Sequence, residues 1–288
     1  MIQTLKLIYA TAKVRLGFLI MACALAGIAV SPGSGLPPWQ VLVLALGVLL
    51  SSASAGAFNQ LYERDLDAKM TRTQQRPFVT GRFKADGYWL GAISLVLLVG
   101  LVAAALATNV IAAVYIFLGA FTYGVVYTVW LKRRTWLNIV IGGLSGSFAV
   151  MAGAAAVDSS LAPAPIILAT VLFLWTPPHF WALALACKKD YEAAEIPMLP
   201  VVVTESTATR AILAHAVAMV TLSLTLVWFG MGWIYLLGAA AGGTFFIAAC
   251  IRLVIEPSVS QSWRTFAASI VQLGLLLTVA ILDRLFLA

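Results

Sequence analysis

Three oxygen-bearing side chains, Asn59, Glu63 and Asp67, recur at intervals of four in one stretch of this sequence. On an α-helix that spacing keeps them on one face, drifting by roughly 80° over two turns. Cations follow at once in the run Met70-Thr71-Arg72-Thr73-Gln74-Gln75-Arg76-Pro77-Phe78. Hard oxygen donors that keep some waters suit magnesium held between protein and substrate phosphates. Guanidinium groups suit phosphate oxygens through paired hydrogen bonds. The combination reads as a diphosphate site. The plainer alternative is a solvated helix end in which Glu63 pairs with Arg64 or Lys69.

Acid and base mix again in Lys188-Lys189-Asp190-Tyr191-Glu192 and at Glu195, where lysines snorkelling at an interface are the competing account. A third element, Tyr127-Thr128 through Lys132-Arg133-Arg134-Thr135, either binds substrate phosphate or anchors a helix to anionic lipid. Cys23, Cys187 and Cys250 have no close spacing, so they read as small core residues and support neither a disulfide framework nor a zinc site. No Ser-His-Asp or Cys-His pattern stands out either.

What positions these groups follows from composition. The chain has 288 residues, of which 62% are hydrophobic and only 10% charged, with a mean hydropathy of +1.00. Soluble domains carry roughly 25% charged residues, so lipid must coat this one. A window of about 20 residues places nine spans at 14–31, 39–59, 88–108, 110–130, 138–157, 163–184, 211–229, 232–251 and 266–284. The first is expected to be a retained helix and not a cleaved signal peptide. The fold class is therefore all-α and integral to the membrane, with residues 1–288 as one polytopic domain.

The net charge of +7 does not indicate nucleic acid, because the basic residues are scattered between apolar runs. Seventeen of the 18 Lys and Arg fall on one side of the nine spans, and only Arg284 falls on the other. By the positive-inside rule that side, with the N-terminus and both long acidic loops, is cytoplasmic or its organellar equivalent, which in a bacterium places the chain in the inner membrane. Those loops, 61–87 and 186–209, hold eight of the 11 acidic residues. Their placement, each after an even-numbered span, predicts a four-helix unit used twice with a ninth helix appended.

The run Asn59-x3-Glu63-x3-Asp67-x2-Met70-x-Arg72-Thr73-x2-Arg76-Pro77 resembles the first acidic motif of the UbiA-type intramembrane prenyltransferases, in the form found in the protohaem IX farnesyltransferase (haem O synthase) subfamily. Three further stretches are similar to that subfamily: Tyr127 to Gly143, Pro178-His179-Phe180-Trp181-Ala182-Leu183-Ala184, and Asp190 to Pro200. The resemblance implies nine helices around a central cavity and transfer of farnesyl from farnesyl diphosphate to a vinyl group of haem b, with water addition. It implies magnesium held by Asn59, Glu63, Asp67 and Asp190, and diphosphate held by Arg72, Arg76, Lys132, Arg133 and Lys189. Haem b is then a substrate, the membrane lipid a partner, and haem-processing or oxidase-assembly proteins further partners.

Two departures stand against the family pattern. Its second motif usually pairs aspartates four apart, whereas Ala186 and Ala194 flank Asp190 here, leaving Glu192 or Glu195 as substitutes. The stretch after Gly142-Gly143 also lacks the subfamily's prolines. Of the two histidines, His215 reads as a core residue, while His179, beside Pro177-Pro178 at an expected helix break, is the candidate to contact haem. The rival readings are a UbiA-type enzyme acting on a quinone precursor or chlorin, and a transporter. A transporter would carry charge near the midplane, and almost all charge here lies at one face.

Overall fold

The computed structural model describes residues 2–33, 35–160 and 162–287, and among them there is no β-strand. A backbone in lipid must satisfy its own polar groups, so long apolar stretches become helices. In chain order they are α1 (Ile2–Thr11), α2 (Val14–Val30), α3 (Pro38–Tyr62), α4 (Arg64–Asp67) and α5 (Gly87–Ala107). Then come α6 (Val110–Leu131), α7 (Asn138–Val157), α8 (Pro163–Ala186), α9 (Lys188–Ala193) and α10 (Leu199–Val202). The last three are α11 (Glu205–Phe229), α12 (Trp233–Ile255) and α13 (Val259–Leu287). Proline at the first helical turn opens α3 and α8, where its missing N–H costs nothing. Side-chain caps from Asn109 and Thr204 open α6 and α11.

Eight of these helices are long and apolar enough to cross a membrane, and α1 with α2, bent by 49° between them, make a ninth when taken together. The chain is a multi-pass integral membrane protein. The expected spans all recur, but α11 starts at Glu205 and α13 at Val259, both earlier than hydropathy places them. Each of these two helices begins with a polar turn that a membrane-core window does not include.

Successive spanning helices pack side by side around a ring that α13 closes against α2. Within it α2, α3, α5, α6 and α7 form one closed circuit, and α8, α11, α12 and α13 another. Two glycines set the contact of α2 with α7: a Cβ on Gly27 would collide with the Val150 carbonyl, and one on Gly153 with that of Ala24. Their absence lets α2 and α7 meet backbone to backbone, which is how helices associate where lipid is as apolar as the side chains.

A second departure concerns α8, which runs unbroken through Pro177 and Pro178. Both prolines are buried, the Trp175 indole donates to the Ser269 carbonyl at 3.0 Å, and Thr176 Oγ1 donates to the Leu172 carbonyl at 2.9 Å. Packing against α7, α11 and α13 keeps the helix continuous despite two missing amide donors. In α6 the reverse occurs. Its second half, Thr122–Leu131, winds as a π-helix, with the Lys132 amide donating to the Tyr127 carbonyl five residues back.

Candidate active site at the basic face

The helix of α3 ends at Tyr62, yet its register carries through Glu63 into α4. The Glu63 amide donates to the Asn59 carbonyl at 3.0 Å, and the Asp67 amide to the Glu63 carbonyl at 2.8 Å. Asn59, Glu63 and Asp67 therefore stay on one side, and they are 2%, 1% and 1% exposed. Each meets its own cation. Lys13 Nζ donates to Asn59 Oδ1 at 2.5 Å, Lys132 Nζ pairs with Glu63 Oε2 at 2.5 Å, and Arg76 Nη1 pairs with Asp67 Oδ2 at 2.6 Å. The solvated-helix-end alternative is thereby set aside: Arg64 turns to exposed Asp65, and Lys69 is exposed.

Two carboxylate oxygens, Glu63 Oε1 and Asp67 Oδ1, are left buried with no hydrogen-bond partner. Such atoms are costly unless something cationic completes them. With Asn59 Oδ1 they make a set of hard oxygen donors of the kind magnesium takes, so the residues present fit that ion.

The cations are placed by secondary structure and by small clusters. The wide turns of the π-helix put residues four and five apart on one side, which brings Tyr123, Tyr127, Thr128 and Lys132 together. Thr128 Oγ1 accepts from Asn59 Nδ2 at 3.0 Å, and the Tyr123 and Tyr127 rings stack 5.7 Å apart. The Lys13 and Lys132 ammoniums lie 5.4 Å and 5.7 Å from the centres of these two rings. Gly142 makes room for Tyr127, since a Cβ there would stand 2.9 Å from its ring. The loop carrying Arg72 and Arg76 is pinned by buried Met70, by Thr73 Oγ1 donating to the Asp67 carbonyl at 2.9 Å, and by the Phe78, Phe83 and Trp89 cluster.

Asp190 is not brought into this group. Its two oxygens accept from the backbone amides of Thr71 and Arg72, each at 3.2 Å, so it clasps the Arg72 loop to α9. Among the described residues no three His, Cys, Asp or Glu side chains converge as a metal cluster. Tyr191 beside it is buried, and burial pushes its phenol up while the Arg72 guanidinium pulls it down. Glu192 is half-exposed and lies 3.9 Å from Lys188, and Glu195 is exposed with a left-handed backbone, φ 54°. Lys189 is exposed. The triple cation splits: Lys132 turns inward, while exposed Arg133 lines a separate groove of about 550 Å³ with Phe58, Tyr62, Arg64 and Asp86.

His179 is 8% exposed and lies between the rings of Trp175 and Phe266, at 4.3 Å and 4.5 Å. Its Nδ1 is 2.7 Å from Ser269 Oγ, which itself donates to the Phe266 carbonyl at 2.6 Å. With that hydroxyl proton so placed, Nδ1 is assigned as the donor and Nε2 as the bare nitrogen. His215 has its Nδ1 2.9 Å from the Ala211 carbonyl of its own helix and its ring edge-to-face with Trp181, as a core histidine does.

Sequence reasoning missed Lys13, Tyr123 and Ser269 as neighbours of these groups. Lys13 counted only toward topology, and its signal was a charged break between two helical stretches.

The model of the UbiA prenyltransferase family matches residues 20–276. The chain belongs to that family. Protoheme IX farnesyltransferase 2 of Paramagnetospirillum magneticum is 50% identical over 286 residues, covering 99% of both chains. Protoheme IX farnesyltransferase 1 of the same organism is 42% identical, covering 94% of this chain and 96% of that one. Among solved structures, a UbiA homologue from Archaeoglobus fulgidus bound to DMAPP and Mg2+ superposes with a TM-score of 0.70 at 17% identity, covering 98% of this UbiA-family chain and 99% of that one. This last likeness is one of fold.

Proposed function

We propose that this chain transfers the farnesyl group of farnesyl diphosphate to a vinyl group of haem b, with addition of water, giving haem O for a terminal oxidase. The observation that carries the reading is the 50% identity, across 99% of both chains, to a protein named as a protohaem IX farnesyltransferase. The two orphaned carboxylate oxygens at the basic face support the diphosphate half of the reaction. Residues 1–288 act as one domain crossing the membrane nine times, with the N-terminus and the site's loops cytoplasmic.

Glu63 and Asp67 would hold magnesium through their unpartnered oxygens and Asn59 through the Oδ1 that Lys13 now occupies, while Asp190 secures the Arg72 loop beside them. When bound, the ion supplies positive charge that a departing diphosphate needs. Arg72, Arg76 and Lys132 share that task as fixed cations, which need no reorganisation as charge develops, whereas exposed Arg133 and Lys189 stand outside the group. Breaking the allylic C–O bond leaves positive charge on the prenyl carbon. The faces of Tyr123 and Tyr127, already turned toward ammonium groups, suit such charge. The vinyl carbon of haem supplies the electron pair that captures it, and water adds to the cation left at the former vinyl position and gives up a proton to leave the hydroxyl. His179, with Nδ1 tied to Ser269, offers Nε2 as a fixed contact for haem.

The test is the pigment profile of membranes that express the chain alongside haem b and farnesyl diphosphate. Haem O is expected with the parent and absent with Asp67→Asn. A membrane that makes no haem O, while a quinone precursor or chlorin is prenylated in the same assay, would overturn the assignment.

A further inference from the structure

Lys13 stands at the junction of α1 and α2 with φ 48° and ψ 42°, a left-handed backbone that a glycine would adopt more easily. Its side chain explains the choice: the ammonium donates to Asn59 Oδ1 at 2.5 Å and to Tyr123 Oη at 2.8 Å. A whole turn of α3 serves this junction. Gly56 leaves space that a Cβ would fill, at 3.2 Å from the Ala12 carbonyl and 3.3 Å from Lys13 Cβ. Gln60 Nε2 donates to the Ala10 and Thr11 carbonyls at 2.9 Å and 3.2 Å. The end of α1 is thus moored to the residue next in line with Glu63 and Asp67. Lys13, Lys132 and Arg76 there face only two carboxylates, and Lys13 alone of the three meets no carboxylate partner.

We propose that Lys13 is a placeholder cation, whose ammonium occupies Asn59 Oδ1 until a divalent metal displaces it, so that α1 is released when the metal arrives. This rests on the reading of Asn59 as a metal ligand. A divalent ion bonded to Asn59 Oδ1 stands close to an ammonium on the same oxygen, and in a site of low dielectric their repulsion is large. The metal must therefore move Lys13, and Lys13 is continuous with α1, whose Leu5, Ile8 and Tyr9 are exposed.

The probe is Mn2+ alone, added to the purified full chain in detergent without diphosphate. Bound metal is read from the loss of the free-ion paramagnetic resonance signal, and hydrogen exchange is followed at residues 2–13. Lys13→Met is expected to bind Mn2+ at least about tenfold more tightly than the parent, because the competing charge is gone. Exchange at 2–13 should rise with Mn2+ in the parent and be high and metal-insensitive in Lys13→Met. Lys13→Gln, which keeps a hydrogen-bonding group without charge, should also bind more tightly and serves if Lys13→Met does not fold. Asn59→Ala is expected to weaken binding. Parent-like or weaker binding in both Lys13 variants, or exchange in α1 that ignores Mn2+, overturns the placeholder while leaving the metal site standing. A parent that binds no Mn2+, or Asn59→Ala that binds like the parent, instead removes the metal reading of Asn59 and this inference with it.

Discussion

At the end of α3 each carboxylate meets a cation and keeps one buried oxygen unbonded, whereas after α8 the Asp190 carboxylate spends both oxygens on the amides of Thr71 and Arg72. The first arrangement holds acceptor capacity in reserve where water does not reach. The second consumes its capacity in joining two loops. Spacing alone treats all these acids as ligands. Burial and bond accounting separate an acid that waits for a metal from one that fastens the loop beside it.

Glu63→Gln and Asp67→Asn should give the largest effect. Each removes negative charge while leaving Lys132 or Arg76 in place, and farnesyl transfer at saturating magnesium should fall by about 100- to 1,000-fold. A loss smaller than about tenfold in either variant would erase the contrast between the two loops.

Asp190→Ala comes next. Freed from its two charge-assisted bonds, the Arg72 loop should loosen, raising KM for farnesyl diphosphate by roughly tenfold with a smaller fall in kcat. Trypsin should also cut after Arg72 faster than in the parent. A fall in kcat as deep as that of Glu63→Gln, at unchanged KM, would make Asp190 a ligand of the same kind.

Ser269→Ala tests the apolar side of the site. Losing the partner of His179 Nδ1 should lower haem affinity by several-fold, with diphosphate affinity unchanged, as read from haem absorption spectra and diphosphate binding. An unaltered spectrum and affinity in both Ser269→Ala and His179→Ala would return His179 to the core. The smallest effects belong to exposed groups: Asp65→Ala, Glu192→Ala and Arg133→Ala should each keep activity within about twofold.

Much of the fold was legible because hydropathy and charge act over whole segments. The nine apolar stretches and the basic face depend on sums over many residues, which survive ignorance of any one contact. The register of Asn59, Glu63 and Asp67 was legible for a similar reason, since bonds four residues apart carry it locally through the break at Glu63. Partner choice was not. Glu63 has Arg64 beside it in sequence and takes Lys132 instead, because the π-turns of α6 bring that ammonium to it. A π-helix leaves no hydropathy signature distinct from an α-helix. Pro177-Pro178 predicted a break from local backbone chemistry, and neighbouring helices overrode it. Lys13 entered the site only through a left-handed residue that nothing in its own sequence neighbourhood required.

The glycine contact between α2 and α7 bears on how the protein meets bilayers of different thickness. Helices answer a mismatch in thickness by tilting, and each tilt moves the residues at the helix ends. Two helices that interlock through bare backbone cannot tilt past one another without collision. The burden falls on α5, α6, α11 and α12, which keep most of their surface on the outside, while α7 is largely enclosed. Compliance is thus assigned to the perimeter, and the seam between α2 and α7 keeps its spacing in membranes of unequal thickness.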